Sequence, residues 1–179
     1  MSPRECWIVR RSRFSPLGYL SVAFWALGCS GGLPASAPSP VLHQAIEFSL
    51  PSDRGSLVAI PLAGAATTVI DVWAPSCAPC RKKLPALTAR KGELEARGGK
   101  LVLVAVLADS ESSDDARAAL SQWGINEPFL VDRGDVMRRE AGVGAVPETL
   151  LLDAHGVVRW VAPADATAEQ VVSAVGALR

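Results

Sequence analysis

Two cysteines three positions apart, in Cys77-Ala-Pro-Cys80, carry the sharpest chemical signal in this chain. Thiols with two residues between them can meet within one helical turn, close a disulfide and reopen it, which is two-electron thiol–disulfide exchange. The pair follows a β-branched apolar run, Thr68-Val-Ile-Asp-Val-Trp73, and opens a segment of helical character. A thiol at a helix N-terminus faces free backbone N–H groups and the positive end of the macrodipole, both of which favour an anion. Such placement lowers a thiol pKa from roughly 8.5 towards the ~3.5–7.5 range. Cys77 is therefore expected as the exposed attacking thiolate, and Cys80, one turn in, as the more buried resolving thiol. Structural zinc would need four ligands. No second such pair exists and His43 and His155 are far away in sequence, so no metal is expected.

Two further features belong with the pair. Asp71 is an acidic side chain inside an otherwise apolar strand, which is unfavourable unless it has a partner or a task. Six residues before Cys77, it is expected to face the helix start beneath Cys80, with a pKa raised by burial, and to accept and return a proton as Cys80 attacks. Pro147, in Gly144-Ala-Val-Pro147-Glu-Thr149, stands directly before an apolar strand, where proline is awkward in a ladder. A cis Val146–Pro147 bond beside the cysteines would resolve this and expose the Val146 backbone as a short edge on which a substrate segment can pair. The basic run Arg81-Lys82-Lys83 is expected to be a solvated helix face.

These residues need a scaffold, and the pattern supplies one. Strands are expected at Leu57–Ile60, Thr68–Trp73, Leu101–Leu107 and Phe129–Val131, with a hairpin of Thr149–Leu152 and Val157–Val161 around the turn Asp153-Ala-His-Gly156. Helices are expected over Cys77–Leu94, from Ser112 to Trp123, over Asp135–Ala141, and after a capping box at Thr167 and Gln170. Strands alternating with helices imply a sheet covered on both faces, with the hairpin adding antiparallel strands. The outline resembles a thioredoxin-like α/β domain: a central mixed β-sheet flanked by helices on both faces, with an N-terminal hairpin extension.

The chain has 179 residues, with 18 basic and 18 acidic side chains and four cysteines. Zero net charge argues against a nucleic-acid partner, and four cysteines are too few for a disulfide scaffold. Arg4, Arg10, Arg11 and Arg13 precede an uncharged run, Leu17–Gly28, which reads as a secretory signal and is short for a membrane span. Ala26-Leu-Gly-Cys29 resembles a bacterial lipobox, with Cys29 as the lipid-attachment site, and a Gly/Pro/Ser/Ala-rich stretch follows as a tether. The expected organisation is a signal over 1–28, a lipidated tether over 29–41 and one domain over 42–179. From Cys29 onward the chain carries 14 basic and 17 acidic residues, a formal charge of −3.

Trp73-Ala-Pro-Ser-Cys77-Ala-Pro-Cys80-Arg-Lys-Lys-Leu-Pro85 resembles the active site of TlpA-like thioredoxin-fold proteins. Val143–Gly156 resembles their cis-proline segment and following hairpin, and Ala45–Leu50 their lead-in. The Pro147-Glu-Thr149 version is most similar to the DsbE type, the thiol reductants of cytochrome c maturation. The likeness covers about residues 42–179. It implies Cys77 as nucleophile, Cys80 as resolving thiol, Asp71 as the buried acid, Pro85 as a helix-kinking proline, and Trp73, Ser76, Val146, Pro147 and Glu148 around a substrate groove. Ser76 departs from the Trp usual there, removing an aromatic flank.

The expected function is a membrane-tethered thiol–disulfide oxidoreductase on the periplasmic side of a bacterial membrane. It would be a monomer, would reduce protein disulfides, with apocytochrome c among the candidate substrates, and would be recharged by a membrane electron donor. No organic cofactor is expected, because the cysteine pair carries the electrons. Two alternatives compete with it. A thiol peroxidase would want a hydroxyl residue three before its cysteine, where Ala74 stands. A copper-binding module would need His155 brought to Cys77 and Cys80.

Overall fold

The computed structural model describes residues 41–178. The signal, the tether and Cys29 lie outside the described residues. The first elements are a hairpin of β1 (Phe48–Pro51) and β2 (Leu57–Ile60), paired antiparallel. The chain then runs through β3 (Thr67–Trp73), α1 (Cys80–Thr88), α2 (Lys91–Ala96), β4 (Gly99–Val106), α3 (Ser113–Gln122) and β5 (Phe129–Asp132). It ends with α4 (Val136–Ala141), β6 (Glu148–Asp153), β7 (Val158–Val161) and α5 (Ala168–Ala177).

The main sheet has the order β5-β4-β3-β6-β7. β3 pairs parallel with β4, and β4 with β5, while β6 lies antiparallel to both β3 and β7. The handedness of crossovers then decides where the helices go. The steps β3 to β4 and β4 to β5 move the same way across the sheet, so right-handed connections put α1, α2 and α3 on one face. The return from β5 to β6 reverses direction, and α4 crosses on the other face. The packing agrees. Ile70 and Val72 of β3 meet Met137 and Ala141 of α4 and the hairpin residues Phe48, Leu50 and Ile60. Trp73 meets Leu84 of α1 and Leu120 of α3, while Val69 meets Leu87 and the α5 residues Val171, Val172 and Val175. Side chains alternate along a strand, so Asp71, between Val69 and Trp73, is directed to the α1 face.

The helix starts follow side-chain chemistry. Ser112 and Asp115 form a reciprocal capping box on α3, and Thr167 and Gln170 form one on α5. At α4 the buried Asp132 carboxylate accepts the backbone N–H groups of Gly134, Val136 and Met137 at 3.1, 3.0 and 2.8 Å. The single helix expected over Cys77–Leu94 is two helices. Cys77 to Pro79 form a turn ahead of α1, and the chain breaks after Thr88, whose hydroxyl donates to the carbonyls of Leu84 and Pro85. Such side-chain to backbone bonds compete with the helical ladder, and Arg90 leaves helical dihedrals at φ −99°, ψ 12°.

Candidate active site

Strand β3 delivers the site. It ends at Trp73, the Cys77 N–H donates to the Ala74 carbonyl at 3.0 Å, and α1 begins at Cys80. The two sulfurs form a disulfide, with the Cα atoms 5.3 Å apart. The Cys80 N–H, at the first position of α1, donates to Cys77 Sγ at 3.2 Å. Cys77 retains 8% exposure and Cys80 none. A helix N-terminus favours negative charge, and in the dithiol form it would favour it on the sulfur that solvent can reach. The other sulfur is shielded.

Asp71 is fully buried. Its Oδ2 accepts from Thr149 Oγ1 at 2.6 Å and forms an ion pair with Lys83 Nζ at 3.0 Å. Lys83 Nζ also donates to Thr149 Oγ1 at 2.5 Å, closing a triangle of three side chains. Oδ1 is buried without a hydrogen-bond partner. Burial pushes the Asp71 carboxyl above the usual carboxylate range, and Lys83 and Thr149 pull it partly back. The expectation that Lys83 belongs to a solvated face is corrected here. Its side chain is only 11% exposed and reaches inward, while Arg81 and Lys82 remain outside.

The Val146–Pro147 peptide is cis, as is Ile60–Pro61, which the sequence reading did not mark. Val146 is half-buried and packs against the apolar cluster that contains both cysteines. Pro147 lines a groove of about 440 Å³ between Pro79, Lys83 and Ala86 of the α1 region and the segment 164–168 before α5. Glu148 follows, half-buried. Its carboxyl is pushed up by burial, against the pull of the Gly144 N–H and the Lys83 charge. Ser76 is exposed beside Cys77.

Trp73 does not wall this groove. It has no exposure and packs edge-to-face against Trp123 and Phe129, with ring centroids 5.4 and 5.9 Å away. The strand's alternation sends it inward with Val69 and Asp71, so it supports the floor beneath the cysteines. The copper alternative fails on placement. His155 lies in the β6–β7 turn, whose Asp153 is opposite Thr67 at the start of β3. Cys77 follows the far end of that strand, about 20 Å away at ~3.3 Å per residue. Among the described residues no group of three or more His, Cys, Asp and Glu side chains could hold a metal ion.

Lys83 and Thr149 were the site residues that sequence reasoning missed. A signal for Lys83 was present: it is three residues after Cys80, on the helix side that also carries the buried Leu84 and Leu87. Thr149 is directly opposite Asp71 in the β3–β6 ladder, a register that cannot be read before the pairing is known.

A cysteine pair at the mouth of α1, beside a cis proline on a five-stranded mixed sheet, defines a thioredoxin-like thiol–disulfide oxidoreductase. The sequence profile of the AhpC/TSA family matches residues 41–161, and the chain belongs to that family. It is 31% identical over 159 residues to the thiol:disulfide interchange protein DsbE homolog of Paracoccus denitrificans, covering 81% of this chain and 83% of that one. It is 22% identical over 146 residues to the thiol-disulfide oxidoreductase ResA of Halalkalibacterium halodurans, covering 82% and 81%. The crystal structure of StoA from Bacillus subtilis superposes with a TM-score of 0.59 over 75% of this chain and 98% of that one, at 22% identity.

Proposed function

We propose that this oxidoreductase works as a reductant of protein disulfides outside the cytoplasm, held at a bacterial membrane by a lipid on Cys29. The observation that carries the thiol roles is the asymmetry of the pair: Cys77 Sγ is reachable and receives a helix N-terminal N–H, and Cys80 is buried. In the reduced protein the Cys77 thiolate attacks one sulfur of a substrate disulfide and releases the other as a thiolate. The Cys80 thiol gives its proton to Asp71, whose partnerless Oδ1 is the receiving atom. The Cys80 thiolate then attacks Cys77 Sγ and frees the second substrate sulfur. The substrate gains two electrons and the protein is left as the Cys77–Cys80 disulfide, with no organic cofactor in the step.

Pro147 lines the groove, and the substrate contacts assigned beside it are the Val146 backbone that precedes the cis bond, the exposed Ser76 next to Cys77, and the half-buried Glu148. An extracytoplasmic reductant needs a supply of electrons, so a membrane-bound donor dithiol regenerates the pair. Apocytochrome c is the substrate class favoured by the likeness of Pro147-Glu-Thr149 to the DsbE type and by the DsbE-named relative. The basic leader, the apolar run and the lipobox-like Cys29 support the tether.

The decisive experiment is trapping. Cys80→Ser, expressed with its leader in a bacterial host, should accumulate mixed disulfides with substrate proteins through Cys77, and Cys77→Ser should accumulate none. Equal trapping by both variants would overturn the assignment of nucleophile and resolving thiol.

A further inference from the structure

We propose that Lys83 and Thr149 are positioning residues for the proton step, anchoring Asp71 through Oδ2 beneath α1 and opposing the effect of its burial, with Lys83 doing so from a place that opens onto the substrate groove. The inference rests on the proton role given above to Asp71 and adds what sets it.

A carboxyl with no exposure would remain neutral if burial acted alone, and a neutral acid cannot take the Cys80 proton. Two side chains oppose burial, and both act at one oxygen. Lys83 Nζ is 3.0 Å from Oδ2 and Thr149 Oγ1 is 2.6 Å from it. Thr149 has one hydroxyl proton, and the Lys83 ammonium, 2.5 Å away, supplies a hydrogen to its oxygen. The hydroxyl proton is thereby committed to Asp71. This orientation fixes Oδ2 as the anchored oxygen and leaves Oδ1 open.

The surroundings contain few other charges. β4 presents Leu103 opposite Asp71, and β3 itself presents Val69 and Trp73 on the same face. From α1 comes Lys83. From β6 comes Thr149; Glu148, opposite Val72 and so on the other side of the strand, feels the Lys83 charge. Asp165 lines the groove together with Lys83. One ammonium thus pairs with a buried acid and borders the groove that Asp165 also borders. Its origin on α1, three residues from Cys80, ties the proton acceptor to the same helix that carries the thiol.

The test is the pH profile of the resolution step. Single-turnover release of thiol from a peptide disulfide by the reduced protein is followed between pH 5 and 10. Lys83→Met should move the acidic limb upward by about one pH unit or more, the size an opposite charge at this range exerts on a carboxyl. Lys83→Arg should restore most of it. Thr149→Val should move the limb the same way by less, with Thr149→Ser returning it, and this pair serves if Lys83→Met does not fold. In an Asp71→Asn background Lys83→Met should produce no additional shift. If Asp71→Asn changes the limb while neither Lys83→Met nor Thr149→Val does, this inference falls and the role of Asp71 stands. If Asp71→Asn leaves the limb in place, the role of Asp71 falls first. An equal shift from Lys83→Met with and without Asp71 would mean that Lys83 acts on Cys80 directly, which also overturns the inference.

Discussion

Asp71 and Asp132 both lie in strands of the main sheet, and both are sealed from solvent, at 0% and 1% exposure. Their partners differ in kind. Asp132 is held by three backbone N–H groups of the loop that turns into α4. Asp71 is held by two side chains on other elements, Lys83 and Thr149, and one of its oxygens has no partner. Backbone donors cannot leave without unfolding the turn, so Asp132 serves the architecture of one connection. Side-chain donors can rearrange, and an open oxygen can take a proton, as the proton role proposed for Asp71 requires. Burial alone does not separate a structural acid from a catalytic one. The identity of the donors does.

The largest expected effect tests the structural half of this contrast. Asp132→Ala leaves three amides at the start of α4 without their acceptor. Bonds to a charged group are worth about 1.5–3 kcal/mol each, so unfolding in guanidinium should show a loss of about 3 kcal/mol or more. Asp71→Asn keeps a similar shape and an oxygen for Thr149 to donate to, and Lys83, 11% exposed, has a route to solvent once the charge is gone, so it should destabilise by less than Asp132→Ala. A costly Asp71→Asn beside a cheap Asp132→Ala would reverse the contrast.

Next is the rate. General acid–base groups contribute about 10²–10⁴-fold. Asp71→Asn should slow resolution of the Cys77 mixed disulfide by about 100-fold at neutral pH, about 2.7 kcal/mol in the barrier. Asp132→Asn should leave the rate of the folded protein unchanged. If the Asp71 variant turns over at the parental rate, Asp71 is a structural residue like Asp132.

A smaller effect comes from linkage. The Asp71 carboxyl is raised in the folded protein, chiefly by burial. As pH climbs above the usual carboxylate range, the unfolded chain has already lost this proton and the folded chain still holds it. The folded state then binds more protons, so stability falls with rising pH until Asp71 itself ionises. Asp71→Asn lacks this contribution. Its stability relative to the parent should rise through that window and then level off, as read from unfolding midpoints at successive pH values. A flat difference would show that folding leaves the Asp71 proton affinity unchanged.

These contrasts also mark what could be read in the sequence. Cys77 and Cys80 were legible because their chemistry is local: a strand end, a turn and a helix start in one stretch of chain. The Thr167 cap on α5 and the strands around Asp71 were legible for the same reason. The partners of Asp71 were not. Thr149 is 78 residues away and becomes its neighbour only through the β3–β6 register. Lys83 looked like its neighbours Arg81 and Lys82 until the helix rotation turned it inward. Trp73 was assigned to the groove by resemblance, although its two-residue spacing from Asp71 already placed both on one buried face. Asp132 was not legible either, because its donors are backbone groups that no residue type announces.

Glu148 lies between the two aspartates in this respect, and it has the smallest expected effect. It is half-buried, takes a backbone N–H from Gly144, and shares the Lys83 charge with Asp71. Any contact it makes with substrate is partly exposed, and such a polar contact is worth up to about 1 kcal/mol. Glu148→Gln should therefore raise KM for a protein disulfide by no more than about fivefold, with kcat and the pH of the acidic limb nearly unchanged. A large fall in kcat, or a limb displaced as far as in Lys83→Met, would place Glu148 in the proton step itself. The proton step would then extend outward from the buried Asp71 to the half-buried Glu148.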